Sequence, residues 1–295
     1  VVTARKRRLC PAKVNLYLKV LRRREDGYHE LVSVMQPLTL ADILLAEPAS
    51  HLTLECTTSE IPLGQSNLIW RAVEKFAAAT GLSVSVKFHL KKRIPVAAGL
   101  GGGSSNAAAT LQLLNQGTGN PLDAARLKTL AAELGADVPF FLSPAPAVAR
   151  GIGTDLSPLD LPPYWYVLLN PGIPVSTKWV YDNLDLEALA SQNVPLLESW
   201  DGARPGDWVA NDLESVTYSR FPVLGELRRL LLEAGALAAG MSGSGPTLFG
   251  LFFRQDTALK AARKIRRQFP GWLAVARGLT QGEGEGDWEN EAWII

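Results

Sequence analysis

Apolar and polar positions alternate between Pro11 and Leu21, with Val14, Leu16, Leu18 and Val20 on one face and Lys13, Asn15, Tyr17 and Lys19 on the other. This period of two predicts a half-buried strand on which Lys13 and Asn15 point the same way. Arg24-Glu25-Asp26-Gly27 reads as a turn, His29 to Leu40 as a second extended segment, and Leu52 to Cys56 and Val84 to Leu90 as two more strands. Elsewhere the period lengthens. Leu68, Ala72, Val73 and Phe76 form a helical stripe that starts after Ser66-Asn67 and stops at Gly81. A second helix is expected from about Ser104, with Ala107, Ala108, Leu111 and Leu114 on one face. A third is expected from Leu122 to Leu134, ended by Gly135.

Pro158, Pro162 and Pro163 mark a link over Thr154 to Pro163. Beyond it come a strand Trp165 to Leu169, a helix Pro222 to Glu233, the glycine-rich Gly240 to Gly245, a strand Thr247 to Phe253, a helix Asp256 to Phe269 and a strand Trp272 to Leu279. Strands followed by helices in each half predict an α+β protein of two domains, residues 1–157 and 158–295. The acidic tail Gly282 to Glu291 is expected to be mobile, and no role is assigned to it. No internal repeat or extended low-complexity tract occurs.

Composition narrows the function classes. Hydrophobic residues make up 47% and charged residues 20%, as in a globular enzyme. Thirty basic and 29 acidic side chains leave a formal charge of +1, so no global field draws in nucleic acid or a membrane surface. Any anion site must therefore be local. The run Arg5-Lys6-Arg7-Arg8 reads as a solvated chain end. Cys10 and Cys56 alone give neither a disulfide framework nor a thiolate metal site, and no run is long and apolar enough for a membrane span. A soluble cytoplasmic protein is expected.

The segment Pro95-Val96-Ala97-Ala98-Gly99-Leu100-Gly101-Gly102-Gly103-Ser104-Ser105-Asn106 leads from a strand into an alanine-rich helix. Glycines allow close backbone approach and positive φ, and a helix N-terminus favours anions, so the segment suits phosphates. Ser104 and Ser105 add hydroxyls for a phosphate oxygen or Mg²⁺, with Ser104 the candidate metal contact. A capped glycine linker would have the same composition, but its place between a strand and an amphipathic helix favours phosphate binding.

The segment lacks the lysine of a Walker A loop. As a dinucleotide fingerprint it has Ser104 where the third glycine belongs, which makes a dinucleotide-binding oxidoreductase a weak alternative. Neither Gly240-Met241-Ser242-Gly243-Ser244 nor Gly103-Ser104-Ser105-Asn106-Ala107 completes a serine-hydrolase elbow. His29, His51 and His89 form no HExxH. On its own Asp137, in Gly135-Ala136-Asp137-Val138-Pro139, reads as an N-cap, and Lys13 as an exposed strand lysine.

Together, Pro11-Ala12-Lys13-Val14-Asn15, Pro95 to Ala109 and Gly240 to Pro246 resemble the three motifs of the GHMP kinase superfamily. Asp26-Gly27-Tyr28-His29 and Gly135 to Pro139 narrow the resemblance to its 4-diphosphocytidyl-2-C-methyl-D-erythritol kinases, over about Leu9 to Leu279. The homoserine and mevalonate types are the alternatives. The resemblance implies an N-terminal domain like domain 2 of ribosomal protein S5, a ferredoxin-like C-terminal domain, and ATP and substrate meeting in a cleft between them. It also implies ATP with Mg²⁺, a small-molecule substrate and a monomer or weak homodimer. Lys13 and Asp137 match the family's catalytic pair, and Pro95 to Ser105 its ATP phosphate segment. Asn15, Tyr28, His29 and Thr177 match substrate-binding positions, and Tyr181 the aromatic that stacks on cytosine, with Trp179 as its competitor. Asn211-Asp212-Leu213-Glu214 also resembles the family, with a helix-head role or a contact both open.

Overall fold

The computed structural model describes residues 4–190, 204–284, 286, 288 and 291–295. It comprises two compact units: one holds the chain up to Ala12, Ala41–Val96 and Gly101–Pro144, the other Lys13–Leu40, Ala97–Leu100 and Ala145–Ile295. Two long strands, β1 (Lys6–Arg23) and β2 (His29–Pro48), contribute residues to both.

In the first unit β3 (Thr53–Cys56) lies parallel to β4 (Val86–Lys91), which pairs antiparallel with residues 43–48 of β2. Three helices, α1 (Leu68–Thr80), α2 (Gly102–Gly117) and α3 (Ala124–Leu134), pack on one another. The ends of α1 are set locally. The Asn67 side chain accepts from the Ile69 N–H at 2.9 Å, and Gly81 closes the helix at φ +70°. Its Ile69, Ala72, Val73 and Phe76 are buried, and a fully buried side chain such as Phe76 contributes about 1.5–3 kcal/mol.

In the second unit β5 (Ala147–Gly151) pairs antiparallel with residues 31–35 of β2 and with β6 (Asp155–Pro158). After β7 (Trp165–Asn170), α4 (Thr177–Asp182) and α5 (Leu186–Ala190), the two-residue β8 (Ala210–Asn211) lies parallel to Tyr17 and Leu18 of β1. Next come α6 (Leu213–Arg220), α7 (Val223–Glu233), β9 (Ala238–Met241), β10 (Leu248–Phe252), α8 (Gln255–Arg266), β11 (Trp272–Arg277) and β12 (Ala292–Ile294). A five-stranded sheet in the order β12-β11-β7-β10-β9 carries α7 and α8, and Val167, Leu169, Leu231, Leu248, Ile265 and Leu273 belong to its core. Most expected elements are present within a few residues.

Several expectations change. β1 is longer than Pro11 to Leu21 and buried on both faces, with Lys13, Asn15 and Lys19 each only 4% exposed. Its polar face has internal partners, so Lys13 is not an exposed strand lysine. The basic run leads into β1 with Arg5 and Arg7 exposed, as a solvated stretch would be, while Lys6 Nζ donates to Gln116 O at 3.4 Å in the last turn of α2, where a cation is favoured. The link Thr154 to Pro163 contains β6, and α2 starts at Gly102, two residues before the expected Ser104.

The acidic tail is anchored where it is described. Arg277 pairs with Glu283 at 2.7 Å and with Glu291 at 2.5 Å, Trp288 is buried, and β12 extends the sheet. Residues 285, 287, 289 and 290, on which the expectation of mobility also falls, lie outside the described residues. Among the described residues no helix is long and apolar enough to cross a membrane.

Candidate active site

Lys13 and Asn15, two residues apart on β1, share a face and meet: Lys13 Nζ donates to Asn15 Oδ1 at 2.5 Å. Asn15 Nδ2 donates to Ser33 Oγ at 2.8 Å, and Ser33 Oγ donates to the Tyr17 carbonyl at 2.7 Å. The Asn15 carboxamide thus orients the Lys13 ammonium from a fixed position. Ser33 was not expected as part of this arrangement. The signal for it is a small polar residue inside the apolar run Leu31 to Met35 of β2, since buried hydroxyls find partners.

The same stretch of β1 is bonded to the other two glycine-bearing motifs. Lys13 N donates to Leu100 O at 3.0 Å. The Ser242 hydroxyl accepts from Asn15 N at 3.3 Å and donates to Gly99 O at 2.9 Å, joining three distant segments through one atom. Gly99 has φ +76°, and a Cβ there would overlap the Ser242 carbonyl oxygen. Asn211 Nδ2 holds the segment after β9 by donating to Met241 O at 2.8 Å and Gly243 O at 2.7 Å, while its Oδ1 accepts from Leu213 N at 2.9 Å. Asn211 therefore has the helix-head role.

The phosphate-binding candidate has left-handed φ at Ala97 (+51°), Gly99 (+76°) and Gly101 (+72°). Such backbone forms concave N–H nests for anions, and a non-glycine residue held there is a strained feature characteristic of ligand sites. Gly102 and Gly103 lie in the first turn of α2, capped by Gly101 without a side-chain hydrogen bond and without an acidic residue in that turn. The helix start therefore offers N–H donors and a positive dipole end to an anion. Ser105 Oγ is buried and has no hydrogen-bond partner among the described residues, as expected of a hydroxyl that a phosphate oxygen or Mg²⁺ would satisfy. Ser104 is partly exposed.

Asp137 lies in the turn after α3, in the first unit. The following 3-10 turn, Pro139–Leu142, is capped at Val138 with no side-chain bond, so Asp137 is not the N-cap that its setting suggested. Gly135 is extended at φ 166°, a conformation open to any residue.

In the second unit the His29 and Tyr181 rings stack with centroids 5.0 Å apart and planes at 30°. Trp179, the competitor for the aromatic role, lies under the Arg220 guanidinium at 5.4 Å. Burial, reinforced by Arg23 and opposed by Asp182, pushes the His29 imidazole below its usual pKa and favours the neutral ring. Tyr28 is 60% exposed, with its N–H bonded to Asp26 at 3.1 Å. The hydroxyls of Thr177 and Ser244 pair at 2.8 Å.

Residues 67–144 match the family described as GHMP kinases N terminal domain, and residues 186–271 match GHMP kinases C terminal. The chain is 45% identical over 272 residues to the 4-diphosphocytidyl-2-C-methyl-D-erythritol kinase of Geobacter sulfurreducens, covering 90% of this chain and 96% of that one. The Syntrophotalea carbinolica protein of the same name is also 45% identical, covering 91% and 96%. A crystal structure of 4-(cytidine 5'-diphospho)-2C-methyl-D-erythritol kinase superposes with a TM-score of 0.80 at 41% identity, covering 93% of this chain and 100% of the other. The homoserine kinase of Cytophaga hutchinsonii shares the fold, with a TM-score of 0.70 at 18% identity over 100% and 98%.

Proposed function

The chain belongs to the 4-diphosphocytidyl-2-C-methyl-D-erythritol kinases of the GHMP kinase superfamily, and from that premise we propose which of its residues perform the reaction. That reaction is ATP-dependent phosphorylation of the 2-hydroxyl of the cytidylyl substrate, giving the 2-phosphate and ADP on the non-mevalonate route to isoprenoid precursors. The reading divides the chain into domains 1–157 and 158–295, supported by the family regions at residues 67–144 and 186–271, one within each. The reading includes Mg²⁺ as the metal, the cytoplasm as the compartment and a monomer or weak homodimer as the working form.

Phosphoryl transfer asks a protein mainly for positioning and charge neutralisation. Segment Pro95 to Ser105 binds the ATP phosphates through its N–H groups, supported by the left-handed backbone and the start of α2, where no side chain caps those donors. Ser104 and Ser105 are the candidate hydroxyls for Mg²⁺, which when bound with ATP supplies positive charge to the phosphates. Asp137 accepts the proton of the attacking hydroxyl late in transfer. Lys13, fixed by Asn15, stabilises the negative charge of the reacting groups.

The observation that carries the choice of substrate is the stacked pair His29 and Tyr181. A cytosine base needs a flat apolar surface and partners for an edge that mixes donors and acceptors. Tyr181 supplies the surface. Neutral His29 has one donor and one acceptor nitrogen, and Asn15, Tyr28 and Thr177 complete the substrate contacts. A coupled assay of ADP release with the cytidylyl substrate, homoserine and mevalonate tests the reading: turnover is expected with the first alone, and preference for either of the others would overturn it.

Tyr181→Ala is expected to weaken CDP binding by about 1–3 kcal/mol, the range for one lost base stack, and to leave binding of a non-hydrolysable ATP analogue unchanged. Calorimetry with both ligands reads the difference. No loss for CDP would move the stacking role to Trp179 or remove it.

A pH dependence follows from His29. Its pKa is lowered in the fold, so the neutral ring persists below the ordinary imidazole range and the proton is taken up only at lower pH. The KM for the cytidylyl substrate is therefore expected to rise as pH falls through that lowered value, with the KM for ATP flat. A His29→Gln variant should lose this dependence, and its retention would assign it to another group.

A further inference from the structure

Asp42 lies outside every motif considered so far, yet it is one of the most completely bonded side chains of the first unit. It is fully buried on β2. Its Oδ1 accepts from the backbone N–H groups of Arg93 at 2.7 Å and Ile94 at 2.9 Å, and its Oδ2 accepts from Lys92 Nζ at 2.5 Å and Asn106 Nδ2 at 3.1 Å. Three of these donors, from Lys92, Arg93 and Ile94, sit where the chain leaves β4 towards the glycine segment. The fourth, Asn106, belongs to α2.

Lys92 is the informative partner. A Cβ built on Gly102, the first residue of α2, would stand 3.1 Å from Lys92 Nζ, so the ammonium is packed against the very start of the helix. A side chain there would have to push the ammonium and the Ile94 side chain aside by a few tenths of an ångström. A cation is disfavoured at a helix N-terminus, because the macrodipole is positive at that end. Lys92 is nonetheless held there with its side chain only 8% exposed, and the buried Asp42 carboxylate is what offsets its charge. An exposed lysine would swing out to water; this one is pinned by a charge-assisted bond to a carboxylate that three further donors hold in place.

We propose that Asp42 is a positioning residue for the ATP-binding segment, acting through Lys92: it fixes the ammonium at the start of α2, where that charge adds to the field that attracts phosphate. This rests on the reading that α2 receives the ATP phosphates. Asp42 itself touches no substrate in this account. The bonds from Arg93, Ile94 and Asn106 hold the carboxylate in place, and the fourth fixes the ammonium against it.

Steady-state kinetics of Asp42→Asn, Lys92→Met and the double variant, each with ATP and the cytidylyl substrate varied in turn, test the proposal. Each single substitution is expected to raise the KM for ATP about tenfold and leave the KM for the cytidylyl substrate within about twofold. Because Asp42 acts through Lys92, the double variant should be no worse towards ATP than Lys92→Met alone. A merely structural role would lower thermal stability and move neither KM selectively. Additive penalties, an equal rise in both KM values or an unchanged ATP KM in Lys92→Met would each overturn the proposal. If Asp42→Asn does not fold, Lys92→Met and the double variant decide: equal, raised ATP KM values support it, and a wild-type value in either overturns it. Gly101→Val separates this from the underlying reading. An unchanged ATP KM in that variant would remove the phosphate segment itself, whereas a raised one alongside a normal Lys92→Met enzyme removes only the role of Asp42.

Discussion

Asp137→Asn and Lys13→Ala are each expected to lower kcat by about 10²-fold or more in a protein that remains folded, the scale for losing a general base or a charge stabiliser. For Asp137 the argument is chemical: the amide keeps the shape of the carboxylate and cannot take a proton. For Lys13 the argument is geometric. The ammonium is 4% exposed and bonded to Asn15, which is tied in turn to Ser33, so the truncation removes a charge held in one place. Asn15→Ala should then reproduce part of the Lys13 defect by loosening that ammonium. Thermal melts and single-turnover phosphoryl transfer check these outcomes, and near-normal turnover of either folded catalytic variant would falsify its role.

Legibility from sequence followed the range of the interactions. The stripe Leu68 to Phe76, with Asn67 before and Gly81 after, places α1 because a cap, a face and a stop are all local. Lys13 and Asn15 were placed on one face by the period of two. The burial of that face was not legible, since its partners come from elsewhere in the chain: Ser33 Oγ receives Asn15, and Leu189 O receives Lys19 at 3.2 Å. Ser242 bonds residues 227 and 143 positions away, a relation that no window of sequence contains. The sequence around β6 reads as a linker because of Pro158, Pro162 and Pro163. β6 tolerates Pro158 because it is an edge strand paired only with β5. Asp42 gives only half a signal: an acid between apolar residues of a strand declares a buried partner but not which one, since Lys92 is 50 residues on.

Gly99→Ala is expected to cut kcat/KM for ATP by about 10²-fold or more, and the reason lies in backbone that cannot yield. The residue sits at φ +76°, where a side chain costs roughly 1–2 kcal/mol by itself. Its new Cβ would also overlap the Ser242 carbonyl oxygen and stand 3.0 Å from the Gly245 carbonyl oxygen, so one of two main-chain segments must move. Movement at Ser242 disturbs the hydroxyl that accepts from Asn15 N and donates to Gly99 O, and thereby the register of β1 that carries Lys13. Ser242→Ala separates the two contributions, because it removes those hydrogen bonds, each worth about 0.5–1.5 kcal/mol net, without introducing a clash. Its effect should be the smaller. Gly101→Val, at φ +72°, should raise the KM for ATP through the phosphate segment alone and leave the KM for the cytidylyl substrate in place. Kinetics of the three variants with both substrates distinguish these routes. A stable Gly99→Ala enzyme with wild-type ATP kinetics would mean that the segment accommodates a side chain at its tightest point, and that the phosphates are bound elsewhere.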